Sequence, residues 1–156
     1  MDHPPHTTAA ELELAGSADL VYDFLTDAAF VGRWHPGVRG MEGRGDQLVE
    51  RRRLLPIVPI TVSFPLEVVE RLRGEHYAVR AELAAGTMRI EGRYELAPAG
   101  DGPADGTRVR IAYRVTALRF GARPVAAIIR RVLALEGRAQ ARAMPDGFEM
   151  WLAARA

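Results

Sequence analysis

Three of the four tyrosines, Tyr77, Tyr94 and Tyr113, lie in runs where apolar and charged residues alternate. If those runs are strands, all three share the inward parity, because successive side chains of a strand point to opposite faces. Phenol hydroxyls there stand beside a bound ligand as donors, or they pack and bond elsewhere, as buried tyrosines often do. Arg51, Arg52 and Arg53 form the densest positive run, beside Glu50. In a strand one of them must face inward. An inward Arg52 could hold a carboxylate or an enolate oxygen through its paired N–H donors. The alternative is a Glu50/Arg52 pair, solvated at the sheet edge or neutralised internally. Farther along, Glu136 and Gln140 are one helical turn apart and share a face with Ile129 and Leu133. Polar groups on that stripe point to a cavity or a water chain, or else the helix is rotated by one position and both stand at the solvent boundary.

Other chemistries are excluded by what is absent. All 21 cationic side chains are Arg and there is no Cys, which removes Schiff-base and thiol catalysis. Ser17 and Ser63 lie in neither G-x-S-x-G nor S-x-x-K, so a serine hydrolase is not expected. His3 and His6 have no further ligands at metal spacing, and Gly40 to Gly45 fits no phosphate loop, so neither a metal nor a cofactor is expected. His76 sits on the outward parity of its strand and is assigned nothing.

The elements that must position these residues are read from periodicity. Thr8 to Ala15 carries Leu12 and Leu14 at period two, a half-buried strand. Ser17 caps a helix through Val21, Phe24, Leu25 and Ala28, with Asp19 in its first turn. Phe30 to Pro36 reads as a second short helix or turn, stopped at Trp34-His35-Pro36-Gly37. From Val38 to Leu118 the period is two. Strands are expected over Val62 to Val68, Tyr77 to Leu83, Met88 to Leu96 and Val109 to Val115, with Ala97 to Gly106 a hairpin loop. Gln47 to Leu55 is expected to be a strand of undetermined register. Pro124 opens a long helix whose apolar stripe is Val125, Ile128, Ile129, Val132 and Leu133, and Pro145 is expected to bend or break it before a last turn carrying Phe148, Trp151 and Leu152.

With 156 residues, 48% of them hydrophobic, the chain reads as one domain, residues 1–6 forming a flexible lead. A formal charge of +1 argues against nucleic acid, no run is long enough for a membrane span, and Met1 to His6 lacks a signal core, so the expected location is cytoplasmic. The order of elements makes an α+β fold: a curved antiparallel sheet of about seven strands around a long C-terminal helix, with two short helices after the first strand. A sheet that curls around one helix leaves space between them. That space is the expected ligand cavity, lined by Phe64, Tyr77, Met88 and Ile90 from strands and by Ile129, Leu133 and Gln140 from the helix.

The run Glu11 to Asp27, then Trp34 to Val38, resembles the opening of the START and polyketide-cyclase (helix-grip) superfamily. Gly92 to Leu96, Gly106 to Arg108 and the C-terminal helix are similar to its second half. The resemblance implies a protein that binds a small hydrophobic, polyketide-like or aromatic ligand, either cyclising or dehydrating it or acting as a carrier or accessory to a partner enzyme. It also implies that Trp34 and His35 rim the pocket mouth. If the protein is an enzyme, the roles expected from the residues themselves are His35 as proton shuttle, Tyr94 or Tyr113 as donor and Arg52 as anion holder. Cyclases of this kind carry an important arginine whose nearest match is Arg71. Here Leu66, Val68 and Leu72 take the inward parity, which turns Arg71 outward. The apolar Leu54 to Ile60 segment is expected at the pocket entrance or against a second subunit.

Overall fold

The computed structural model describes residues 5–53, 60–83, 85–102 and 105–156. Strand β1 (Thr7–Leu14) leads into helices α1 (Ala18–Leu25) and α2 (Ala28–Trp34). Six strands follow, β2 (Val38–Arg44), β3 (Gln47–Arg53), β4 (Thr61–Leu72), β5 (His76–Leu83), β6 (Met88–Pro98) and β7 (Thr107–Ala117). Helix α3 (Arg123–Arg155) closes the chain after a single 3-10 turn. The seven strands form one antiparallel sheet in the order β1-β7-β6-β5-β4-β3-β2. Every connection from β2 onward joins neighbours, and only β1 crosses to pair with β7. Ser17 caps α1 by accepting from the Leu20 N–H at 3.3 Å. The curved sheet, the long C-terminal helix and the two short helices make the helix-grip architecture.

Three details depart from the sequence reading. Helix α3 runs unbroken through Pro145. Proline sacrifices one backbone bond, but Met144, Phe148 and Trp151 on either side of it are buried, and Trp151 donates its indole N–H to Asp27 at 2.9 Å. Packing therefore anchors both flanks, and Phe148, Trp151 and Leu152 belong to the same helix.

The face of α3 is also different. Ala126, Leu133, Gly137, Gln140, Met144, Gly147, Phe148 and Trp151 face the core, whereas Val125, Ile128 and Val132 are exposed. Small residues decide this rotation. A Cβ on Gly137 would lie 2.4 Å from the Ala9 Cβ, and one on Gly147 would lie 2.5 Å from the Trp34 Cβ. The helix thus lies closer to β1 and α2 than any larger side chain would permit.

The third departure concerns Arg71. A bulge between Val68 and Glu70 shifts the β4–β5 register, so that Arg71 pairs directly with Tyr77. Directly paired residues share a face, and the Arg71 guanidinium lies over the Tyr77 ring at 6.0 Å. Arg71 is thus on the inner side, and Leu72 is the residue turned out, 45% exposed. Beyond the bulge, simple alternation gives the wrong face.

The outer sheet face is a carpet of ion pairs. Arg80, Arg89, Arg93, Arg110 and Arg114 meet Glu67, Glu82, Glu70, Glu95 and Glu91 respectively, and His76 meets Glu70 at 3.3 Å. His6 lies 3.7 Å from Glu91, so the part of the lead that is described rests against the sheet. The Leu54 to Ile60 segment falls outside the described residues except for Ile60.

Candidate functional site

On β3, alternation puts Leu48, Glu50 and Arg52 on the buried face and leaves Val49 outside. Arg52 is thereby the inward arginine. Its guanidinium donates to Glu50 at 2.6 Å and reaches from the sheet to Glu136 on α3. Burial alone would lower the Arg52 pKa, and the two carboxylates more than reverse that, so the cation is permanent. Two carboxylates against one guanidinium leave a cluster whose full charge is negative. Both edges of the guanidinium fork are occupied by these carboxylates.

His35 closes α2 at the same spot. It is buried, and its Nδ1 accepts from the Gly37 N–H at 3.2 Å, which puts the ring proton on Nε2, facing Glu136 Oε1 at 3.8 Å. Burial, with Arg52 adding to it, holds the His35 pKa down to about 3. At neutral pH this imidazole is therefore a neutral N–H donor and is not poised to exchange protons.

One turn beyond Glu136, Gln140 is fully buried and bridges two strands. The Tyr94 hydroxyl donates to Gln140 Oε1 at 2.8 Å, and Gln140 Nε2 donates to the Tyr113 hydroxyl at 2.5 Å. Burial raises the pKa of both phenols, so both keep their protons. Tyr113 then has its own hydrogen free to donate. A half-turn of the Gln140 amide exchanges donor and acceptor and gives the free hydrogen to Tyr94 instead.

The expected single hollow is divided. The Tyr94–Gln140–Tyr113 bridge stands between two clefts. One, of about 90 Å³, is lined by His35, Glu50, Arg52, Tyr77 and Tyr94 together with apolar residues such as Leu25, Met41 and Leu66. The other, of about 250 Å³, lies between β1, β7 and α3 and is lined by Thr7, Ala9, Tyr113 and Arg130 among others. Each is below the roughly 300–1,000 Å³ of drug-sized ligand sites. Tyr77, with its pKa raised by burial to about 12, completes the first cleft's wall.

Of the residues expected to line the cavity, Tyr77 does so and Gln140 forms the partition. Met88 and Leu133 pack in a cluster with Val115 and Ala126, and Ile90 and Ile129 pack against it. Those four border neither cleft, although Val115 of the same cluster lines the larger one. Trp34 is buried against Phe24 at 5.1 Å between ring centres and belongs to the main core, although its indole nitrogen has no partner among the described residues. Phe64 shares the inner face by pairing with Glu50, but it lines neither cleft. Glu50, expected as a partner of Arg52, and Glu136, expected as buried or boundary polarity, are the site residues to which sequence reasoning gave no catalytic or binding role. Their signal was polar residues at inward positions of a strand and of a helix. Among the described residues no group of His, Asp or Glu is placed to hold a metal, and no helix is long and apolar enough to cross a membrane.

The family described as "Polyketide cyclase / dehydrase and lipid transport" matches residues 5–146. Among solved structures, the di-domain ARO/CYC BexL from the BE-7585A biosynthetic pathway is similar with a TM-score of 0.73 at 16% identity, over 94% of this chain and 47% of that one. The chain thus spans about half the length of that di-domain protein. The Zhui aromatase/cyclase from Streptomyces sp. R1128 is similar at a TM-score of 0.67 and 14% identity, over 93% of each chain. A START superfamily protein from Mycobacterium smegmatis is similar at 0.56 and 20% identity, over 87% of this chain and 98% of that one. No curated protein matches significantly in sequence.

Proposed function

Because this chain belongs to the polyketide cyclase/dehydrase and lipid transport family, we propose that it binds a small hydrophobic, oxygen-bearing ligand, polyketide-like or aromatic, in the cleft beside His35, Arg52 and Tyr94, and promotes its cyclisation or dehydration. The observation that carries this reading is the convergence of buried polar groups on one small space: Glu50, Arg52 and Glu136, the His35 N–H, and the Tyr94–Gln140–Tyr113 bridge. Buried charges are costly where apolar packing would serve, and catalysis needs such groups in fixed positions. A carrier needs only a greasy wall.

The chemistry that suits these groups is aldol-type ring closure. Glu50, on the cleft wall, takes a proton from the carbon beside one carbonyl of the ligand. The electron pair left on that carbon forms a bond to a second carbonyl carbon. Its oxygen gains the negative charge and takes a proton from the Glu50 carboxylic acid, and loss of water then gives the unsaturated ring. The His35 N–H, and Tyr94 with the Gln140 amide turned, donate hydrogen bonds to the oxygens on which charge develops. Arg52 acts as a positioning residue that holds both carboxylates, so a neutral ligand suits this cleft better than an anionic one. The space of about 90 Å³ accommodates a single ring, and a larger ligand needs the Tyr94–Gln140–Tyr113 partition to open.

Native mass spectrometry of the purified protein tests this. The expected result is a non-covalent adduct, released on activation, whose mass is that of an oxygenated hydrophobe. Combining Tyr94→Phe with His35→Ala is expected to lower its occupancy about tenfold, as for the loss of two neutral hydrogen bonds. A protein that is always empty, or an adduct held equally by the variant, would count against the site. An adduct that is retained but never converted would assign the chain to carriage.

A further inference from the structure

The apolar residues that α3 turns away from the core form a surface of their own. Val125, Ile128, Val132 and Leu135 recur at three, four and three residues, and they are 48%, 63%, 52% and 62% exposed. At that spacing they make one row, about 15 Å long at 1.5 Å per residue. Phe120, 80% exposed, extends the row beyond the N-terminal end of the helix.

Charge along the same segment is one-sided. Residues 118–142 contain six arginines, Arg119, Arg123, Arg130, Arg131, Arg138 and Arg142, and a single acid, Glu136, which is already bound to Arg52. None of the six forms an ion pair among the described residues, in contrast to the arginines of the outer sheet face. Arg123 lies over the Phe120 ring at 4.7 Å, and Arg130 donates to the Val115 carbonyl at 2.8 Å. Arg131, Arg138 and Arg142 follow the strip of helix next to the apolar row. The molecule as a whole carries only +1, so this positive face is a local feature.

We propose that the outward face of α3, from Phe120 to Leu135, docks on an anionic lipid bilayer, the apolar row entering the headgroup boundary and the arginines meeting lipid phosphates. The chemistry is complementary in both respects: an interfacial helix buries one apolar strip, and its cationic neighbours gain from negative headgroups. A second copy of the chain fits poorly, because a symmetric contact would bring two sets of unpaired arginines together. This inference is independent of what the interior cleft holds.

Co-sedimentation with phosphatidylcholine vesicles, with and without phosphatidylglycerol, tests it. Wild-type protein is expected to bind the anionic vesicles at least about tenfold more tightly than the neutral ones, and added salt is expected to weaken that binding. Ile128→Gln with Leu135→Gln, and separately Arg131→Gln with Arg138→Gln, are each expected to lose about tenfold, with thermal unfolding unchanged because all four positions are exposed. Equal affinity for neutral and anionic vesicles, no binding to either, or undiminished binding by both variants would overturn the proposal. So would a wild-type dimer that Ile128→Gln with Leu135→Gln dissociates, or binding to poly-glutamate in place of vesicles.

Discussion

Replacing Arg52 with Met is expected to destabilise the protein by about 3–5 kcal/mol, the usual cost of stripping one partner from a buried ion pair. Arg52 is the cation between Glu50 and Glu136, both of which are largely withdrawn from water. Without it, two carboxylates face each other across the interior. In a domain of this size that loss corresponds to a fall in Tm of about 10 °C. The cause is separable from lost packing, because Met fills much of the arginine's volume. Adding Glu50→Gln and Glu136→Gln to Arg52→Met is expected to restore most of the stability, since no uncompensated charge then remains. Thermal unfolding of the single and triple variants measures this directly. A single variant that loses less than about 1 kcal/mol would mean that water reaches the cluster, as it does for exposed pairs.

Acid sensitivity should carry the signature of His35. Its folded pKa, held down to about 3, lies below the 6.5 of the unfolded chain, so the unfolded state binds the proton more readily. This contribution is therefore complete above pH 6.5 and is lost as pH falls through the window toward 3. The slope is at most about 1.4 kcal/mol per pH unit, or about 5 kcal/mol across the whole window as an upper limit. Other groups titrate in the same range, so the useful quantity is a difference. Urea unfolding of wild type and His35→Gln between pH 7 and 4 isolates it: the stability advantage of wild type is expected to shrink by about 1.4 kcal/mol for each unit of acidification below 6.5. A difference that is flat with pH would show an imidazole open to solvent and free to protonate in the folded state. That outcome would also revive His35 as a proton shuttle near neutrality.

Alternation carried most of the sheet. Tyr77, Tyr94 and Tyr113 face inward as their neighbours required, and the clean runs of β6 and β7 left little choice of register. Three features were not readable. The bulge after Val68 inserts one residue into β4 with no Gly or Pro to announce it, and so reverses the faces of Arg71 and Leu72. On α3, hydrophobicity favoured Val125, Ile128 and Val132, whereas the observed face is set by how closely Gly137 and Gly147 let the backbone approach Ala9 and Trp34. Close approach is a tertiary property and leaves no periodic trace. The division of the cavity is the third. Glu136 and Gln140 on an inward stripe signalled buried polarity, but whether they bordered one hollow or filled it depended on Tyr94 and Tyr113 reaching the same amide from two strands.

That bridge also links the site to its energetics. Gln140 satisfies two phenols that would otherwise be buried without partners, and Glu136, one turn away, ties α3 to β3 through Arg52. The groups proposed to act on a ligand are the same ones that join helix to sheet. Widening the cleft must therefore break hydrogen bonds at the partition, and a ligand has to replace them.

The most direct test is an amide-resolved NMR titration with phenol, a neutral one-ring ligand of the size the closed cleft takes. Saturable shifts centred on His35, Tyr77 and Tyr94 and extending to Gln140, with a midpoint that Tyr94→Phe with His35→Ala moves to about tenfold higher concentration, are the expected result. Saturation confined to Tyr113, Val115 and Arg130 in the cleft beside β1, or no saturable change at all, would contradict the assignment of a ligand site to the His35–Arg52–Tyr94 cleft.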